Sequence, residues 1–390
     1  MLKKEKQREI EPYNGFEQGP IRPPSESASL LLRVTRNCPW NHCTFCGIYR
    51  ERKFSLRPVE HIVKDIDLIH ENVNGIQRSL EDAQRQGNAS FNPFPGNLDA
   101  KKEQAFYAAY NWIKNGMESI FLQDSNSLII KPDNLVHILM HIKKRFPDVK
   151  RITSYARSHT IARIKDADLE RFARAGLNRI HIGMESGSDK VLAFVKKGVD
   201  KATHVIAGQK VKNAGIELSE YIMPGLGGRA FTRDHALESA DALNQINPDF
   251  IRLRTLAVPR SVPLYQELSA GTFQKMGDME TAREILMFLE HLDGITSTVK
   301  SDHILNLFEE VEGVLPEDKS KMTDVVNRFL HMPPRDQMLY QVGRRMGIFS
   351  RLDDLGEHGR RTLVERRCME IGVTPENVDH VMDIIMHQFI

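Results

Sequence analysis

Three of the four cysteines in this 390-residue chain, Cys38, Cys43 and Cys46, lie within nine consecutive positions. Their spacing, C-x4-C-x2-C, places soft thiolate ligands close enough to share one metal centre, and iron–sulfur clusters are held by runs of this kind. Three thiolates leave one iron of a [4Fe–4S] cluster without a protein ligand. The motif therefore predicts a cluster with an open position for chemistry, whereas four thiolates would only transfer electrons or hold a fold.

A structural zinc site is the alternative interpretation of the same residues. It lacks a fourth cysteine nearby, because the remaining one, Cys368, lies far along the chain in a helical pattern. His42 is directly adjacent to Cys43, so both side chains would strain to reach one ion. The softness and the number of the ligands therefore favour the iron–sulfur cluster.

The residues around these cysteines resemble those of the radical SAM enzymes. A predicted strand at 29–36 leads directly into the cysteine loop, and an aromatic residue, Phe45, precedes the last cysteine. The commonest spacing in that family has three residues between the first two cysteines, whereas this chain has four. The resemblance implies that the open iron binds S-adenosylmethionine and that Phe45 lies beside this cofactor.

Hydrophobic periodicity divides the chain into three parts. Residues 1–28 are polar and proline-rich and are predicted to form an extended arm. Between residues 29 and 265, short apolar strands alternate with helical patterns, which predicts a parallel sheet with right-handed crossovers. Residues 266–390 are helical in period and are predicted to form a C-terminal helical domain. The helices predicted there cover 280–291, 303–310, 319–330, 337–346, 363–371 and 376–388.

Six β/α units in the middle part match the partial (β/α)6 barrel of the radical SAM family. The predicted fold class is therefore α/β, a partial (β/α)6 parallel barrel with a C-terminal helical extension. A long helix from Pro58 to about Gln86 and a second helix at 100–114, separated by a loop, exceed what the first crossover needs, so residues 70–115 are interpreted as an insertion. The predicted strands are 29–36, 119–124, 151–155, 177–182, 216–223 and 249–254.

Composition limits the classes of function that the chain can have. Its formal net charge is +2, from 54 Lys and Arg against 52 Asp and Glu, which gives no indication of a nucleic-acid-binding module. No apolar run approaches about 18 residues, so no membrane span is predicted. The charged first residues lack the apolar region of a secretory signal, and reduced thiols are expected in the same compartment, so a cytoplasmic protein is predicted.

Candidate site residues lie where the predicted strands end, because ligands of parallel α/β folds bind at the carboxyl ends of the strands. The second strand ends in Gln123, Asp124 and Ser125. The resemblance implies that residues at this place contact the amino group of S-adenosylmethionine, where the family often has Gly-Gly-Glu. Capping of the next helix by Asp124 or Ser125 is the alternative.

The fourth strand ends in Gly-Met-Glu-Ser-Gly at 183–187, which resembles the family's Gly-x-Glu-Ser-Gly and implies that Glu185 and Ser186 reach the cofactor. The flanking glycines would let the backbone approach a ligand closely. Lys197 follows Glu185 by twelve residues. At this offset the oxygen-independent coproporphyrinogen oxidases have a basic residue that binds the carboxylate of S-adenosylmethionine. A solvated helix end at Lys196 and Lys197 is the alternative.

The fifth strand ends in a glycine-rich turn that begins at Gly225. The turn resembles one in the family that lies against the adenosine, although any tight turn can require glycine. Glu220 is a further candidate for cofactor binding. It is one position out of register with the acid that the family often has, and it would point to the other face of the strand.

Arginines are predicted to face the interior of the barrel. Alternation along the sixth strand puts Arg252 and Arg254 on one face, and Thr153, Tyr155 and Arg157 share a face of the third strand. Unpaired buried charge is costly, so these arginines predict a substrate that carries a carboxylate or a phosphate. We therefore select Arg254, Arg157 and Tyr155 as candidate catalytic residues. A structural network of ion pairs is the alternative.

Together, these residues predict a radical SAM enzyme that acts on a small, anionic substrate with a [4Fe–4S] cluster and S-adenosylmethionine. In such enzymes the cofactors supply a 5′-deoxyadenosyl radical that abstracts hydrogen from the substrate. The resemblance also implies an external electron donor of the flavodoxin or ferredoxin type. Two alternatives stay open, namely radical SAM modification of a macromolecule such as tRNA or protein, and a non-catalytic iron–sulfur or zinc protein.

Overall fold

The computed structural model describes residues 11–87, 92–94, 96 and 98–386, which form two compact units. The strands of these residues are β1 (Leu30–Arg33), β2 (Thr35–Arg36), β3 (Ser55–Leu56), β4 (Ser119–Gln123), β5 (Arg151–Ala156), β6 (Arg179–Glu185), β7 (Glu217–Ile222), β8 (Phe250–Leu253), β9 (Thr298–Lys300) and β10 (Gly313–Val314).

Fourteen α-helices accompany the strands within the described residues. None of them combines the length and the apolar composition that crossing a bilayer requires. They are α1 (Val59–Arg85), α2 (Ala100–Lys114), α3 (Pro132–Arg145), α4 (Ser158–Ile161), α5 (Asp166–Arg174), α6 (Asp189–Phe194), α7 (Lys201–Asn213), α8 (Gly228–Ile246), α9 (Leu264–Ser269), α10 (Asp278–His291), α11 (Lys319–Leu330), α12 (Pro334–Arg345), α13 (His358–Ile371) and α14 (Val378–Met386).

The first unit lies within Met1–Pro39, Glu51–Ala156 and Lys165–Ile180. In it, β1 pairs in parallel with β4, and β4 pairs in parallel with β5. The strands are buried along almost their whole length, as parallel strands covered by helices on both faces are. The core of this unit includes Leu30, Leu32, Ile120, Leu122 and Ile152 from the strands and Ile66, Ile69, Ile138 and Leu139 from the helices.

The long helix α1 confirms the first helix that the sequence predicts, and a buried ion pair fixes its position. Arg57 donates from Nη1 to Asp65 Oδ2 at 2.8 Å, and both side chains are only 1% exposed. The same Nη1 donates to the carbonyl oxygen of Arg33 at 2.7 Å. Because Arg33 is the last residue of β1, this contact ties α1 to the strand that leads into the cysteine loop.

The second unit lies within Trp40–Arg50, Arg157–Ile164 and His181–Ile390. Its strands follow the order β6-β7-β8-β9-β10, in which β7 with β8 and β8 with β9 are parallel and β9 with β10 is antiparallel. A buried apolar cluster lies beneath the turns that follow β7 and β8. Its members are Val191, Val195, Met223, Leu226, Leu256, Val258, Val262, Leu264 and Phe273, with Phe45 packed against them.

The α/β class and all six predicted strands are confirmed, as β1, β4, β5, β6, β7 and β8. The predicted helix at 303–310 is wrong, because that segment is an irregular connection between β9 and β10. There Ser301 and Asn306 hydrogen-bond to backbone groups, which competes with helix formation. β9 also adds a parallel neighbour to β8, so the part after residue 265 is not purely helical.

The other five helices predicted after residue 265 are present as α10 to α14. Residues 1–10 of the predicted arm, part of the predicted loop between the first two helices and the predicted end of the last helix at 388 lie outside the described residues. The boundaries of the predicted domains, including the insertion at 70–115, stay predictions.

Replacing Asp65 with Ala is expected to lower the free energy of unfolding by about 3 kcal/mol, because Arg57 then stays buried without its main partner. Urea unfolding measures the change. Asp67→Ala on the same helix is the control, since Asp67 pairs with Arg145 at 2.7 Å but is 32% exposed. That variant should lose no more than about 1 kcal/mol. Equal losses would contradict the structural role of the Arg57–Asp65 pair.

Candidate cofactor-binding site

The cysteine loop begins in the first unit, where residues at the end of β4 hold its first turn. The backbone N–H of Asn37 donates to Asp124 Oδ2 at 3.0 Å, and Ser125 Oγ donates to the carbonyl oxygen of Asn37 at 3.2 Å. Asn37 has a φ of 68°, which few residues other than glycine adopt. Arg33 Nε donates to the same oxygen of Asp124 at 2.8 Å. These contacts orient the residue that immediately precedes Cys38.

Gln123, at the end of the same strand, binds the N-terminal arm. Its Oε1 accepts from the N–H of Gly19 at 2.8 Å, and its Nε2 donates to the carbonyl oxygen of Ile21 at 2.6 Å. The short helix that follows this strand has no side-chain cap, so the capping alternative for Asp124 and Ser125 is wrong. The structure gives these three strand-end residues supporting contacts to the arm and to the cysteine loop. Their contact with a cofactor stays a prediction.

The second part of the cysteine loop, residues 40–50, belongs to the second unit and is fastened to the end of α6. The N–H of Thr44 donates to the carbonyl oxygen of Val195 at 3.0 Å. Trp40 Nε1 donates to the carbonyl oxygen of Lys196 at 2.8 Å. A Cβ at Gly198 would lie 2.3 Å from the Trp40 ring, so glycine is required for this close packing.

Two residues that were predicted to be catalytic have protein partners. Arg157 donates to the carbonyl oxygen of Lys197 at 3.0 Å, and its guanidinium carbon lies 5.2 Å from the centroid of the Trp40 ring. Arg157 therefore clamps the cysteine loop within the second unit. Tyr155, in the first unit, lies edge-on to Phe121 with ring centroids 5.4 Å apart. Catalytic roles for both residues stay predictions.

Lys197 connects the cysteine loop to the end of β6. Its Nζ donates to Glu185 Oε1 at 3.1 Å and lies 5.7 Å from the centroid of the Phe45 ring. Both charged side chains are 13% exposed. Burial alone would lower the pKa of Lys197, but the carboxylate of Glu185 and the charge of Cys43 outweigh it, so the pKa is raised. The alternative of a solvated helix end is therefore wrong for Lys197.

The backbone at the end of β6 is shaped for this ion pair. Glu185 has a φ of 66°, a conformation that is strained for a residue other than glycine. A Cβ at Gly183 would lie 2.2 Å from Glu185 Oε1 and 3.3 Å from Lys197 Nζ, so glycine makes room for the pair. A Cβ at Gly187 would lie 2.2 Å from the carbonyl oxygen of Glu238. Gly187 therefore serves the packing of α8 rather than the approach of a ligand.

Ser186 belongs to a buried hydrogen-bond network that the sequence analysis missed. Its Oγ accepts from the N–H of Ser188 at 3.0 Å and lies 2.8 Å from His235 Nδ1. His235 Nε2 lies 3.0 Å from the carbonyl oxygen of Met223. Because a carbonyl oxygen only accepts, Nε2 carries the proton, and in the neutral ring Ser186 donates to Nδ1. The network thus joins the ends of β6 and β7.

Glu284 completes this network beneath the glycine-rich turn after β7. Its Oε1 accepts from the N–H of Gly225 at 2.7 Å, and its Oε2 accepts from Thr232 Oγ1 at 2.7 Å. Burial raises the pKa of Glu284, and the nearby His235 opposes the shift. The signal in the sequence that could have identified both residues is a polar side chain at a buried position of an amphipathic helix, here α8 and α10.

The remaining candidates have contrasting surroundings. Glu220 is fully buried, and neither carboxylate oxygen forms a hydrogen bond of ordinary geometry within the described residues. Burial raises its pKa well above the usual range, with Lys197 opposing. Arg252 pairs with Asp302 at 2.5 Å and is 5% exposed, which supports the ion-pair alternative for this residue. Arg254 lies just beyond β8 and is exposed.

The three clustered cysteines are partly exposed. Within the described ranges, no three His, Cys, Asp or Glu side chains are arranged to hold a metal ion. The fit to a [4Fe–4S] cluster therefore rests on the chemistry of the donors, which are three soft thiols within nine positions. The ammonium of Lys197 is close enough to Cys43 to interact with its charge, which favours the thiolate that a cluster requires.

Comparisons with known proteins found a family model that matches part of the chain. Residues 94–240 match the family model described as the Radical SAM superfamily. The tRNA uridine(34) acetyltransferase of Methanocaldococcus infernus is 22% identical over 128 residues, which are 33% of this chain and 24% of that protein. The 4′-phospho-dehydrooxetanocin synthase of Priestia megaterium is 28% identical over 228 residues, 55% of this chain and 26% of the other.

A mitochondrial tRNA methylthiotransferase of Rattus norvegicus is 20% identical over 293 residues, 72% of this chain and 45% of that protein. The matches thus span less than half of each of these relatives. Among solved structures, the coproporphyrinogen III oxidase of Escherichia coli has a TM-score of 0.43 at 12% identity, covering 68% of this chain and 52% of that one. A likeness at this score carries no functional information.

Replacing Cys38, Cys43 or Cys46 with Ala is expected in each case to abolish iron retention after anaerobic reconstitution, because two thiolates cannot hold the cluster. Iron content and the visible absorbance of the purified protein measure the effect. Cys368→Ala is the control, because Cys368 is 4% exposed and lies in α13. That variant should keep the iron content of the wild type. A Cys43→Ala protein with full iron would show that the ligand assignment is wrong.

Replacing Glu284 with Ala is expected to lower the free energy of unfolding by about 1–3 kcal/mol, because the Gly225 N–H and the Thr232 hydroxyl lose their buried acceptor. Glu284→Gln keeps one acceptor oxygen and should lose less. Chemical unfolding measures both variants. Glu290→Ala, at an exposed position of the same helix, should change the stability by no more than about 0.5 kcal/mol. Similar values for all three variants would remove Glu284 from the network.

Proposed function

We propose that this chain, whose residues 94–240 match the Radical SAM superfamily, uses that family's [4Fe–4S] cluster and S-adenosylmethionine to abstract hydrogen from a small, anionic substrate. When bound, these cofactors supply the chemistry by reductive cleavage of S-adenosylmethionine to methionine and a 5′-deoxyadenosyl radical. The largely shielded Lys197–Glu185 pair beside the cysteine loop, with both side chains 13% exposed, carries the proposal. A purely structural metal site would not require a shielded ion pair beside the cysteine loop.

In this proposal Cys38, Cys43 and Cys46 hold the cluster, and the Lys197–Glu185 pair receives the amino-acid part of S-adenosylmethionine. That part carries one carboxylate and one ammonium group. The carboxylate suits Lys197 as a compact positive charge, and Glu185 can accept from the ammonium or from a ribose hydroxyl. Because the two side chains pair with each other at 3.1 Å, they are oriented before the ligand arrives. Binding then exchanges one ion pair for two.

The anionic character of the substrate is supported by Arg254. Within the described residues its guanidinium forms no ion pair, although Arg252, two positions earlier, is paired with Asp302. An exposed guanidinium beyond the carboxyl end of β8 is suited to a carboxylate or a phosphate, which it can bind through two parallel hydrogen bonds. The relative from Priestia megaterium is named for a phospho compound, which is in keeping with such a substrate.

A macromolecular substrate is the second candidate, because two of the relatives are named for tRNA. Among the helices of the described residues, α13 has the most arginines and is the first candidate for phosphate contacts. Its arginines are paired with acids instead, Arg360 with Asp354 at 2.9 Å and Arg361 with Asp336 at 2.7 Å. Helix α13 therefore offers little free positive charge to an RNA backbone, and the small substrate stays our first choice.

The proposal requires a source of single electrons outside the chain. The sequence contains no second group of cysteines that could hold another cluster. We therefore propose an external donor of the flavodoxin or ferredoxin type and classify the reaction as an oxidoreduction. We also place the enzyme in the cytoplasm, where cysteine thiols stay reduced.

The test is anaerobic reconstitution with dithionite and S-adenosylmethionine, followed by mass spectrometry for 5′-deoxyadenosine, which the wild type is expected to form. Lys197→Ala and Glu185→Ala should keep their iron but bind S-adenosylmethionine about one to two decades more weakly. Each variant removes a charge-assisted contact of roughly 1.5–3 kcal/mol. Lys196→Ala is the matched control, because Lys196 is the exposed neighbour of Lys197.

Two results would contradict the proposal at different levels. A wild-type protein with a full cluster that forms no 5′-deoxyadenosine would overturn the proposed chemistry. Unchanged binding of S-adenosylmethionine in both Lys197→Ala and Glu185→Ala would leave the chemistry standing but show that the cofactor binds elsewhere.

A further inference from the structure

The connection between β9 and β10 is fastened to the backbone on both sides of Arg254. Asn306 Nδ2 donates to the carbonyl oxygen of Leu253 at 2.8 Å, and Asn306 Oδ1 accepts from the N–H of Thr255 at 2.9 Å. Asn306 is 3% exposed, so these hydrogen bonds are shielded from water. Since Leu253 and Thr255 are the chain neighbours of Arg254, the connection is fixed directly opposite this arginine.

The start of the same connection is fixed to the preceding residues of β8. Asp302 accepts from Arg252 Nη1 at 2.5 Å. Ser301 Oγ accepts from Asn306 Nδ2 at 3.1 Å and donates to the carbonyl oxygen of Phe308 at 2.5 Å. His303 lies between the two anchoring residues, Asp302 and Asn306, and is therefore held beside the end of β8.

The ring of His303 has a defined orientation. The N–H of Leu305 donates to His303 Nδ1 at 3.3 Å, so the proton of the neutral ring is on Nε2. In the described part of the chain, Nε2 has no hydrogen-bond partner. Burial, aided by the positive charge of Arg254, lowers the pKa of His303 to about 4, and Asp302 opposes the shift. At neutral pH the ring is therefore an uncharged N–H donor.

Two hydrogen-bond donors thus lie near the end of β8, close enough for the charge of Arg254 to act on the His303 ring, and neither has an acceptor among the described residues. One is the exposed guanidinium of Arg254, and the other is Nε2–H of His303. Asp302, the nearby acid, is already engaged by Arg252. A negatively charged acceptor is the chemical group that suits both donors.

We propose that Arg254 and His303 form an anion subsite, and that it binds a carboxylate or phosphate group of the substrate. The assignment of the anion to the substrate rests on the proposed function, whereas the existence of the subsite does not. A bound anion stabilises the charged imidazolium and raises the pKa of His303 above its value in the free protein. Anion binding therefore takes up a proton and strengthens as the pH falls through the pKa that His303 has in the complex.

Calorimetric titration of the reconstituted protein tests the subsite with two probes, sulfate and acetate. Sulfate replaces phosphate as a probe because its charge is constant above about pH 5. Any pH dependence of sulfate binding in that range therefore reports a change in the protein, such as protonation of a histidine. We expect at least one probe to bind more tightly as the pH is lowered. The probe with the higher affinity identifies the phosphate or the carboxylate class.

Variants of both donors separate a binding role from a structural one. Arg254→Ala should abolish binding, while Arg260→Ala, at an exposed arginine a few positions later, should leave it unchanged. His303→Ala should weaken binding about tenfold, which corresponds to one lost hydrogen bond. His303→Gln keeps a neutral N–H donor and should restore most of the affinity. Both His303 variants should lose the pH dependence.

The subsite is overturned if neither probe binds to the wild type, or if Arg254→Ala binds as the wild type does. The pH dependence has to disappear in His303→Gln, and its persistence would also overturn the assignment to His303. Formation of 5′-deoxyadenosine is measured in the same preparations. If the wild type forms none but binds the anion, the proposed function is overturned and the anion subsite stands. If the wild type forms 5′-deoxyadenosine but binds neither probe, the subsite is overturned and the radical chemistry stands.

Discussion

The ion pair between Lys197 and Glu185 is the interaction on which the arrangement of the second unit's site depends. An ammonium that is only 13% exposed is stable as a charge only while its carboxylate partner is in place. Glu185 reaches Lys197 from a backbone φ of 66°, a side chain at Gly183 would collide with the pair, and the centroid of the Phe45 ring lies 5.7 Å from the ammonium. Residues 40–50 of the cysteine loop and the end of β6 are therefore coupled through Lys197 within the second unit.

A second, hydrogen-bonded network complements this pair. Ser186, next to Glu185, is joined through His235 to the carbonyl of Met223, and Glu284 holds the N–H of Gly225 two residues later. Each hydrogen bond contributes only about 1 kcal/mol, but a buried group that loses its partner costs more. The two strand ends are thus held in one geometry by interactions that do not involve the side chains of Lys197 and Glu185, which pair only with each other in this network.

The sequence predicted the parts of the fold that periodicity controls, such as the six parallel strands and the long helix α1. It failed at 303–310, where Ile304, Leu305 and Phe308 have a helical period but Asn306 and Ser301 bind backbone groups of their own connection and of β8. Gln123 and Asp124 were selected because they lie at the carboxyl end of a predicted strand. Their position could not reveal that Gln123 hydrogen-bonds to the arm and that Asp124 hydrogen-bonds to the cysteine loop. Those contacts join residues about 90 to 100 positions apart, and no local pattern encodes them.

The two arginines of β8 show why alternation alone does not predict the role of a charge. Arg252 and Arg254 share a face by period, but β8 ends at Leu253, so Arg252 lies within the sheet and Arg254 lies beyond it. Arg252 is 5% exposed and has to be paired, because an unpaired charge there would cost several kcal/mol. The Arg254 side chain stays exposed to solvent, so its charge needs no protein partner for stability. Burial, rather than the face of the strand, thus separates a charge that holds the protein together from one that is available to a ligand.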